Sequence, residues 1–243
     1  MPQDHEPHES APGEPGAVRS RLGLPPRWDR IALVGSLGVL SAVSPMATDM
    51  YLASMPEMAQ WFGTPVSLVQ LSLTAYMVGM AAGQFLLGPL SDVVGRHRLM
   101  VAGNLVFLLS SVGIILAPGI GVVLALRLLQ GISGAAGVVI ARAVVSDIAR
   151  GHRAAQMYSV LSLITSLAPV VAPLVGGVIA TVADWRTAFA VLAVFGAVML
   201  ACSVLVIPET LPRHARAAGG VGRILRNAVR GGGDRRVPLP PPG

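Results

Sequence analysis

The sequence predicts an all-α integral membrane protein, a bundle of six transmembrane helices. Hydrophobic residues make up 53% of its 243 positions and charged residues only 12%, whereas a soluble domain carries about 25% charged residues. The apolar residues are concentrated in six long runs, and roughly 20 such residues suffice to cross a bilayer. We assign the runs to residues 31–53, 67–90, 99–117, 122–145, 156–181 and 187–207.

Polar tails are predicted on either side of the six runs. Residues 1–30 are rich in Pro, Glu and His, a composition typical of a disordered segment. Residues 208–243 form a second tail that is basic and rich in Pro and Gly. The first apolar run is longer than the hydrophobic region of a signal peptide and five more runs follow, so we expect it to be a retained helix.

The arginines predict the orientation of the bundle. Arginines occur before the first run, in the 2–3 and 4–5 connections and after the sixth run, whereas the 1–2 and 3–4 connections have none. Loops on the cytoplasmic side carry an excess of Arg and Lys. We therefore expect an inner-membrane protein with both termini in the cytoplasm. The net charge of +6 flanks membrane spans rather than forming a basic stripe, so no nucleic-acid partner is expected.

Two ionisable residues, Asp49 and Arg127, lie inside apolar runs. An ionisable group in hydrocarbon costs about 2.5–3.5 kcal/mol on insertion scales and is a functional candidate by default. Both are predicted roughly 6–8 Å inside the outer boundary, which makes pairing or a shared water network feasible. Such a carboxylate can change protonation when a cationic substrate or water arrives. The alternative is that Asp49 caps a helix at the interface while Arg127 extends outward to water.

The segment GPLSDVVGRHRLM, residues 88–100, resembles the cytoplasmic loop signature of the major facilitator superfamily. The matching residues are Gly88, Leu90, Asp92, Gly95 and Arg96. Val93 and His97 stand where the family has basic residues. The resemblance implies an Asp–Arg charge relay that guides the rocking of two halves of a transporter.

Two further segments strengthen this resemblance. RLLQGISGAA, residues 127–136, is similar to the family's span-4 signature, whose arginine is implicated in proton transfer. SLAPVVAPLVGG, residues 166–177, is similar to the antiporter signature of span 5. In that signature Pro173, Gly176 and Gly177 match, while Ala168 and Ala172 replace glycines. Together with TDMYL, ARAVVSD and PETLP, these segments resemble the Bcr/CflA-type branch of drug:proton antiporters.

The resemblance implies the N-terminal half of a major facilitator superfamily fold and proton-coupled export of small drugs or toxic metabolites. Bicyclomycin, chloramphenicol and sulfonamides all fit the range of that branch. Asp49 would be the carboxylate that takes up the proton, and the proton gradient would supply the energy, with no cofactor and no metal. The relatives have twelve spans around a midplane site. We therefore expect a truncated product, which would transport only as a homodimer or with a separate second half.

Four questions stay open at this point. The chain could be an inactive or regulatory six-helix module that needs a partner half. It could also be an intramembrane serine protease, because Gly131–Gly134 spells G-x-S-G around Ser133, although the five histidines lie outside the six runs. Polar residues of span 2 either line a substrate path or hydrogen-bond between helices, and these are Tyr76, Gln70 and Gln84. Nearby methionines, including Met77 and Met80, offer either an adaptable drug contact or ordinary packing.

Overall fold

The computed structural model describes residues 26–211, and helices account for nearly all of these residues. The predicted tails lie outside these residues, except for 26–30 and 208–211. The helices are α1 (Pro26–Ser41), α2 (Val43–Asp49), α3 (Met55–Phe62), α4 (Val66–Val94), α5 (Arg96–Ile115), α6 (Ile120–Ile148), α7 (Gly151–Val182) and α8 (Trp185–Leu205). One 3₁₀ turn, Leu52–Ser54, separates α2 from α3. The described residues contain no β-strand.

Six segments of the described chain are long and apolar enough to cross a membrane. The first runs from Ile31 to Phe62 and combines most of α1 with α2 and α3, and the other five are α4 to α8. The six-helix, all-α membrane fold predicted from hydropathy is confirmed. Several helices extend past the apolar runs of the sequence: α4, for example, continues to Val94, four residues beyond the predicted end of its span at residue 90.

The first crossing is a broken helix rather than the single span predicted for residues 31–53. Pro45 explains the break between α1 and α2, because a proline lacks the N–H of the helical ladder and its ring collides with the carbonyl four residues earlier. That carbonyl belongs to Ser41, the last residue of α1. The Ser41 hydroxyl donates to the Leu37 carbonyl oxygen at 2.9 Å, which satisfies its own polar atom at the break.

Helix α6 lies at the centre of the bundle and touches α4 through glycines. A Cβ added at Gly79 of α4 would collide with the backbone of Leu128, and one added at Gly131 of α6 would collide with the carbonyl oxygen of Tyr76. Gly83, one turn further along α4, faces Ile132 in the same way. Small residues at four-residue spacing let membrane helices approach closely, since packing rather than hydrophobic expulsion holds them together.

Helix α7 presents two different faces at its antiporter signature. Ala168, Ala172 and Gly176 are buried on one face, and a Cβ at Gly176 would collide with the carbonyl of Met50 in the first crossing. Pro173 is exposed on the opposite face, and a Cβ at Gly177 would meet nothing within 4 Å. Three of the five signature residues are therefore buried, and Gly176 brings α7 close to the broken first crossing.

The neighbouring glycines Gly176 and Gly177 provide a matched pair of alanine substitutions. We expect Gly176→Ala to destabilise the bundle by roughly 1–3 kcal/mol, because the methyl group must push against the Met50 backbone. Gly177→Ala enters open space and should change stability by less than about 0.5 kcal/mol. Thermal unfolding of the two variants in detergent measures the difference. Equal unfolding temperatures would contradict the close contact between α7 and Met50.

Candidate functional site

The guanidinium of Arg127 lies at the centre of the bundle with no exposed surface. Its Nη2 donates to the carbonyl oxygen of Ala47 in α2 at 2.8 Å, and its Nη1 donates to Oε1 of Gln130 at 2.7 Å. Among the described residues, no carboxylate forms an ion pair with Arg127. Arg127 therefore does not extend outward to water but remains a buried cation held by uncharged groups.

Aromatic rings complete the surroundings of this cation. The Arg127 guanidinium carbon lies 4.4 Å from the ring centre of Tyr51 and 4.6 Å from that of Tyr76. Phe189 of α8 lies further away, at 5.8 Å. Desolvated cation–π contacts contribute up to about 2 kcal/mol each, and hydrogen bonds to charged groups about 1.5–3 kcal/mol. Together these contacts offset an insertion cost of about 2.5–3.5 kcal/mol for an arginine in the membrane.

A chain of polar side chains extends from Arg127 into the core. Gln130 accepts from Arg127 and donates through Nε2 to the Ser111 hydroxyl of α5 at 2.7 Å. Ser111 in turn donates to the Phe107 carbonyl oxygen at 2.8 Å. This network orients the Gln130 amide and thereby keeps the guanidinium pointing at the Ala47 carbonyl.

Asp49 lies two residues beyond Ala47, at the last position of α2. It is half-buried, and its Oδ1 accepts from the hydroxyl of Thr48 at 2.9 Å. The similar depth expected for Asp49 and Arg127 agrees with this placement, because Arg127 binds the backbone of the same helical turn. The structure does not bring the two charges into contact. They are connected through the backbone of α2 between Ala47 and Asp49.

A cavity of about 440 Å³ opens between α2 and α4, beside the Tyr76 ring that contacts Arg127. Its lining is uncharged and consists of Ser44, Tyr76, Met77, Met80, Ala81, Gln84 and Phe85. The structure thus brings together two of the three polar residues singled out in span 2, Tyr76 and Gln84, with the methionines Met77 and Met80. Gln70, the third polar residue, is exposed on α4 outside the cavity.

The outer surfaces of the helices differ in polarity. Beyond Arg98 in its first turn, every exposed residue of α5 is apolar, and so is every exposed residue of α8, as expected for helices that face lipid. Helix α4 instead exposes polar residues at helical spacing on one stripe, namely Ser67, Gln70, Thr74 and Gln84. Helix α7 exposes Ser159, Ser162 and Ser166 in a similar row. The polar rows on α4 and α7 are therefore the surfaces that suit a water-containing path or another protein.

The loop signature at residues 88–96 forms a charged cluster at one end of the bundle. Gly95 joins α4 to α5 with φ of 107°, a left-handed value that favours glycine. Arg96 follows, and its Nη1 contacts Asp92 at 2.8 Å while its Nε contacts Asp147, at the end of α6, at 3.1 Å. The Ser91 hydroxyl accepts from Arg96 at 2.6 Å and donates to the Gly88 carbonyl oxygen at 2.7 Å. Leu90 belongs to the same last turns of α4.

The segment after α8 closes this charged cluster. Glu209 accepts from the backbone N–H of Arg96 at 3.0 Å, and the Thr210 hydroxyl donates to Asp147 at 2.9 Å. A carboxylate at the first turn of a helix is favoured by the free N–H groups there. The cluster consequently ties together the ends of α4, α5 and α6 and the segment that follows α8.

Several residues around Arg127 and around Arg96 were not predicted from the sequence to have a role. Tyr51, Asp147 and Glu209 lie inside the segments TDMYL, ARAVVSD and PETLP. The resemblance had therefore indicated the segments that contain them, but not the residues themselves. Gln130 stands three residues after Arg127, a spacing that places two side chains on one face of a helix. Phe189 and Ser111 carry no such signal, because their roles depend on how α5 and α8 pack against α6.

Comparisons with known proteins give the family of this chain. The family model of the Major Facilitator Superfamily matches residues 37–238. The MFS-type transporter YdgK of Bacillus subtilis is 40% identical over 207 residues, which cover 84% of this chain and 52% of YdgK. A bicyclomycin resistance protein homolog of Haemophilus influenzae is 34% identical, over 79% of this chain and 48% of that protein.

Among solved structures, the human organic anion transporter MFSD10 superimposes with a TM-score of 0.60 at 21% identity. The match covers 81% of this chain and 51% of that structure. The six crossings define a multi-pass membrane protein, and the family match places it among transporters rather than enzymes. The chain belongs to the Major Facilitator Superfamily, and its relatives agree with the resemblance to Bcr/CflA-type drug exporters. It spans about half the length of the curated relatives it matches.

The interpretation as an intramembrane protease is wrong for a member of this transporter family. Ser133 is buried in α6, and its hydroxyl donates to the Gln130 carbonyl oxygen at 3.1 Å. It is a packing residue at the α5–α6 contact, where the Ser133 carbonyl oxygen lies against Gly103.

Arg96 and Arg98 allow the charged cluster to be tested with one type of substitution. We expect Arg96→Gln to destabilise the protein by roughly 1–3 kcal/mol, since it removes contacts to Asp92, Asp147 and Ser91 from a largely buried side chain. Arg98 is exposed, and Arg98→Gln should stay within about 0.5 kcal/mol of the unchanged protein. Thermal unfolding in detergent distinguishes the two. A stable Arg96→Gln variant would contradict the structural role of the cluster.

Proposed function

We propose that this chain takes part in proton-coupled export of small drugs or toxic metabolites. The observation that carries the proposal is the buried Arg127, whose described partners are all uncharged and whose closest backbone partner lies two residues from Asp49. A stable membrane anchor does not require a buried cation bound to the same helical turn that carries a carboxylate. The similarity to a bicyclomycin resistance protein homolog supports drugs as the substrate class.

The proposed coupling acts through the first crossing. Asp49 ends α2, and the following residues leave the α-helical path until α3 begins at Met55. A proton on Asp49 removes a negative charge close to Arg127, which weakens the attraction between α2 and α6. Because α2 lies between a proline-induced break and a 3₁₀ turn, it can shift without moving the rest of the bundle. Proton uptake at Asp49 would thereby alter the position of α2 relative to α6.

The proposed orientation puts the Arg96 cluster in the cytoplasm of a cell with an inner membrane, and both termini on the same side. The excess of arginine at that end supports it. In this orientation Asp49 and Arg127 lie near the outer end of their crossings, where protons enter down the gradient. The charged cluster would hold the cytoplasmic ends of α4, α5 and α6 together while the outer end opens.

Transport also requires a second six-helix unit in this proposal. Alternating access in the family depends on two halves that rock about a site between them, and the chain matches about half of its relatives. The exposed polar rows of α4 and α7 support these two helices as contact surfaces for that unit. The second unit would be either another copy of this chain or a separate second half.

A regulatory or inactive six-helix module is the second candidate, favoured by the half-length match to the relatives. In this candidate the protonation of Asp49 has no role, and the protein needs only its folded structure to act. Carboxylate substitutions that preserve the fold therefore separate the two candidates.

Asp49 and Glu57 provide the test, because both are half-buried carboxylates of the first crossing. We expect Asp49→Asn to reduce drug export to the background of an efflux-deficient host, since an amide cannot release a proton. Glu57→Gln should leave export unchanged, because Glu57 lies in α3, away from Arg127. Drug accumulation is measured with and without an uncoupler, at matched amounts of protein in the membrane. Export that survives Asp49→Asn, or that ignores the uncoupler, would contradict proton coupling through Asp49.

A further inference from the structure

The cavity between α2 and α4 has a buried end and an open end. Tyr76 and Met80 are 1% and 6% exposed, whereas Met77 and Phe85 are 53% and 78% exposed. The volume of about 440 Å³ falls within the roughly 300–1,000 Å³ of small-molecule sites. A molecule that enters between Met77 and Phe85 would therefore reach Tyr76 at the buried end.

The polar groups available in the cavity are few and uncharged. The Tyr76 hydroxyl is buried against Gly134 of α6 and is closed to the cavity, so Tyr76 contributes only its ring. Gln84 contributes an amide with both donor and acceptor atoms nearer the open end. The remaining surface is thioether, methyl and aromatic, which adapts to apolar bodies of different shape.

The charge of Arg127 determines which ligands the buried end can accept. Aromatic rings attract organic cations to their faces, but Arg127 already lies against Tyr76, with 4.6 Å between the guanidinium carbon and the ring centre. A cationic ligand on Tyr76 would therefore meet a positive charge behind the ring, with no carboxylate in the lining to compensate it. An anion would also be disfavoured, because the Nη groups of Arg127 donate to Ala47 and Gln130 instead of reaching the cavity.

We propose that this cavity is a binding site for neutral amphiphilic molecules and that it discriminates against organic ions of either sign. The ligand would place an apolar body between Met77, Met80 and Phe85, contact the Tyr76 ring at the buried end and exchange hydrogen bonds with Gln84. This inference rests on the proposed function for its role in transport, since the site would hold the exported molecule. Binding itself needs neither a proton gradient nor a second six-helix unit.

The test uses the purified full chain in lipid nanodiscs and equilibrium dialysis with three probes. Chloramphenicol is the neutral probe, and tetraphenylphosphonium and tetraphenylborate are ions of matched size and opposite charge. Binding to empty nanodiscs is subtracted. We expect saturable binding of chloramphenicol and none of either ion. Saturable binding of an ion with an affinity equal to that of chloramphenicol would overturn the proposal.

Gln84 and Gln70 supply matched variants on one helix. They are 14 residues apart, so they lie on nearly the same face of α4, separated by about 21 Å along the helix axis. Gln84→Leu should weaken chloramphenicol binding roughly 3- to 10-fold, as expected for the loss of a hydrogen bond, and Gln70→Leu should not. At about pH 8, Gln84→Glu should create saturable binding of tetraphenylphosphonium by adding an ionised carboxylate, and Gln70→Glu should not.

The outcomes separate this site from the transport proposal. Chloramphenicol binding that depends on Gln84, together with export that survives Asp49→Asn, would support the site and contradict proton coupling. Export that requires Asp49, together with equal effects of the Gln84 and Gln70 variants on binding, would support coupling and overturn the site. Both glutamine positions are exposed, so their substitutions leave the packed core of the bundle unchanged.

Discussion

The burial of one positive charge in the centre of a membrane-spanning bundle is the constraint on which the rest of this structure depends. Arg127 can remain there only because α2 offers a backbone carbonyl, α6 offers Gln130, and two tyrosines stack against the guanidinium. Those contacts in turn require α2, α4 and α6 to approach closely. The glycines at the α4–α6 contact permit this approach, so the buried charge depends on them as well.

The bundle combines continuous helices with one interrupted crossing. Helices α4, α5 and α6 are continuous over 20–29 residues, pack through small residues and are joined at one end by the Arg96 cluster. The first crossing is instead interrupted at Ala42 and again after Asp49. Backbone groups at such interruptions need hydrogen-bond partners inside a membrane. Arg127 donates such a bond to the carbonyl oxygen of Ala47. The charge that stabilises the bundle is therefore bound to its least regular segment.

Hydropathy was sufficient to predict the six crossings, because each must bury its backbone polar groups in an apolar helix. The break after Ser41 could also have been predicted, since Pro45 stands four residues later. Sequence could not place Arg127 and Asp49 relative to each other: equal depth does not determine which way a side chain points around a helix. The partners Gln130, Ser111 and Phe189 depend on helix rotation, and the cavity depends on the spacing between α2 and α4. The resemblance marked Gly176 and Gly177 alike, yet only the packing of α7 separates their roles.

The claim that Asp49 exchanges protons near Arg127 is tested most directly by proton release from the purified protein. Chloramphenicol is added to the full chain in lightly buffered detergent that contains a pH indicator, with Asp49→Asn as the comparison. The account predicts that binding of the drug releases protons from the unchanged protein and none from the variant. Release of equal amounts by both proteins, or binding without release by the unchanged protein, would contradict it.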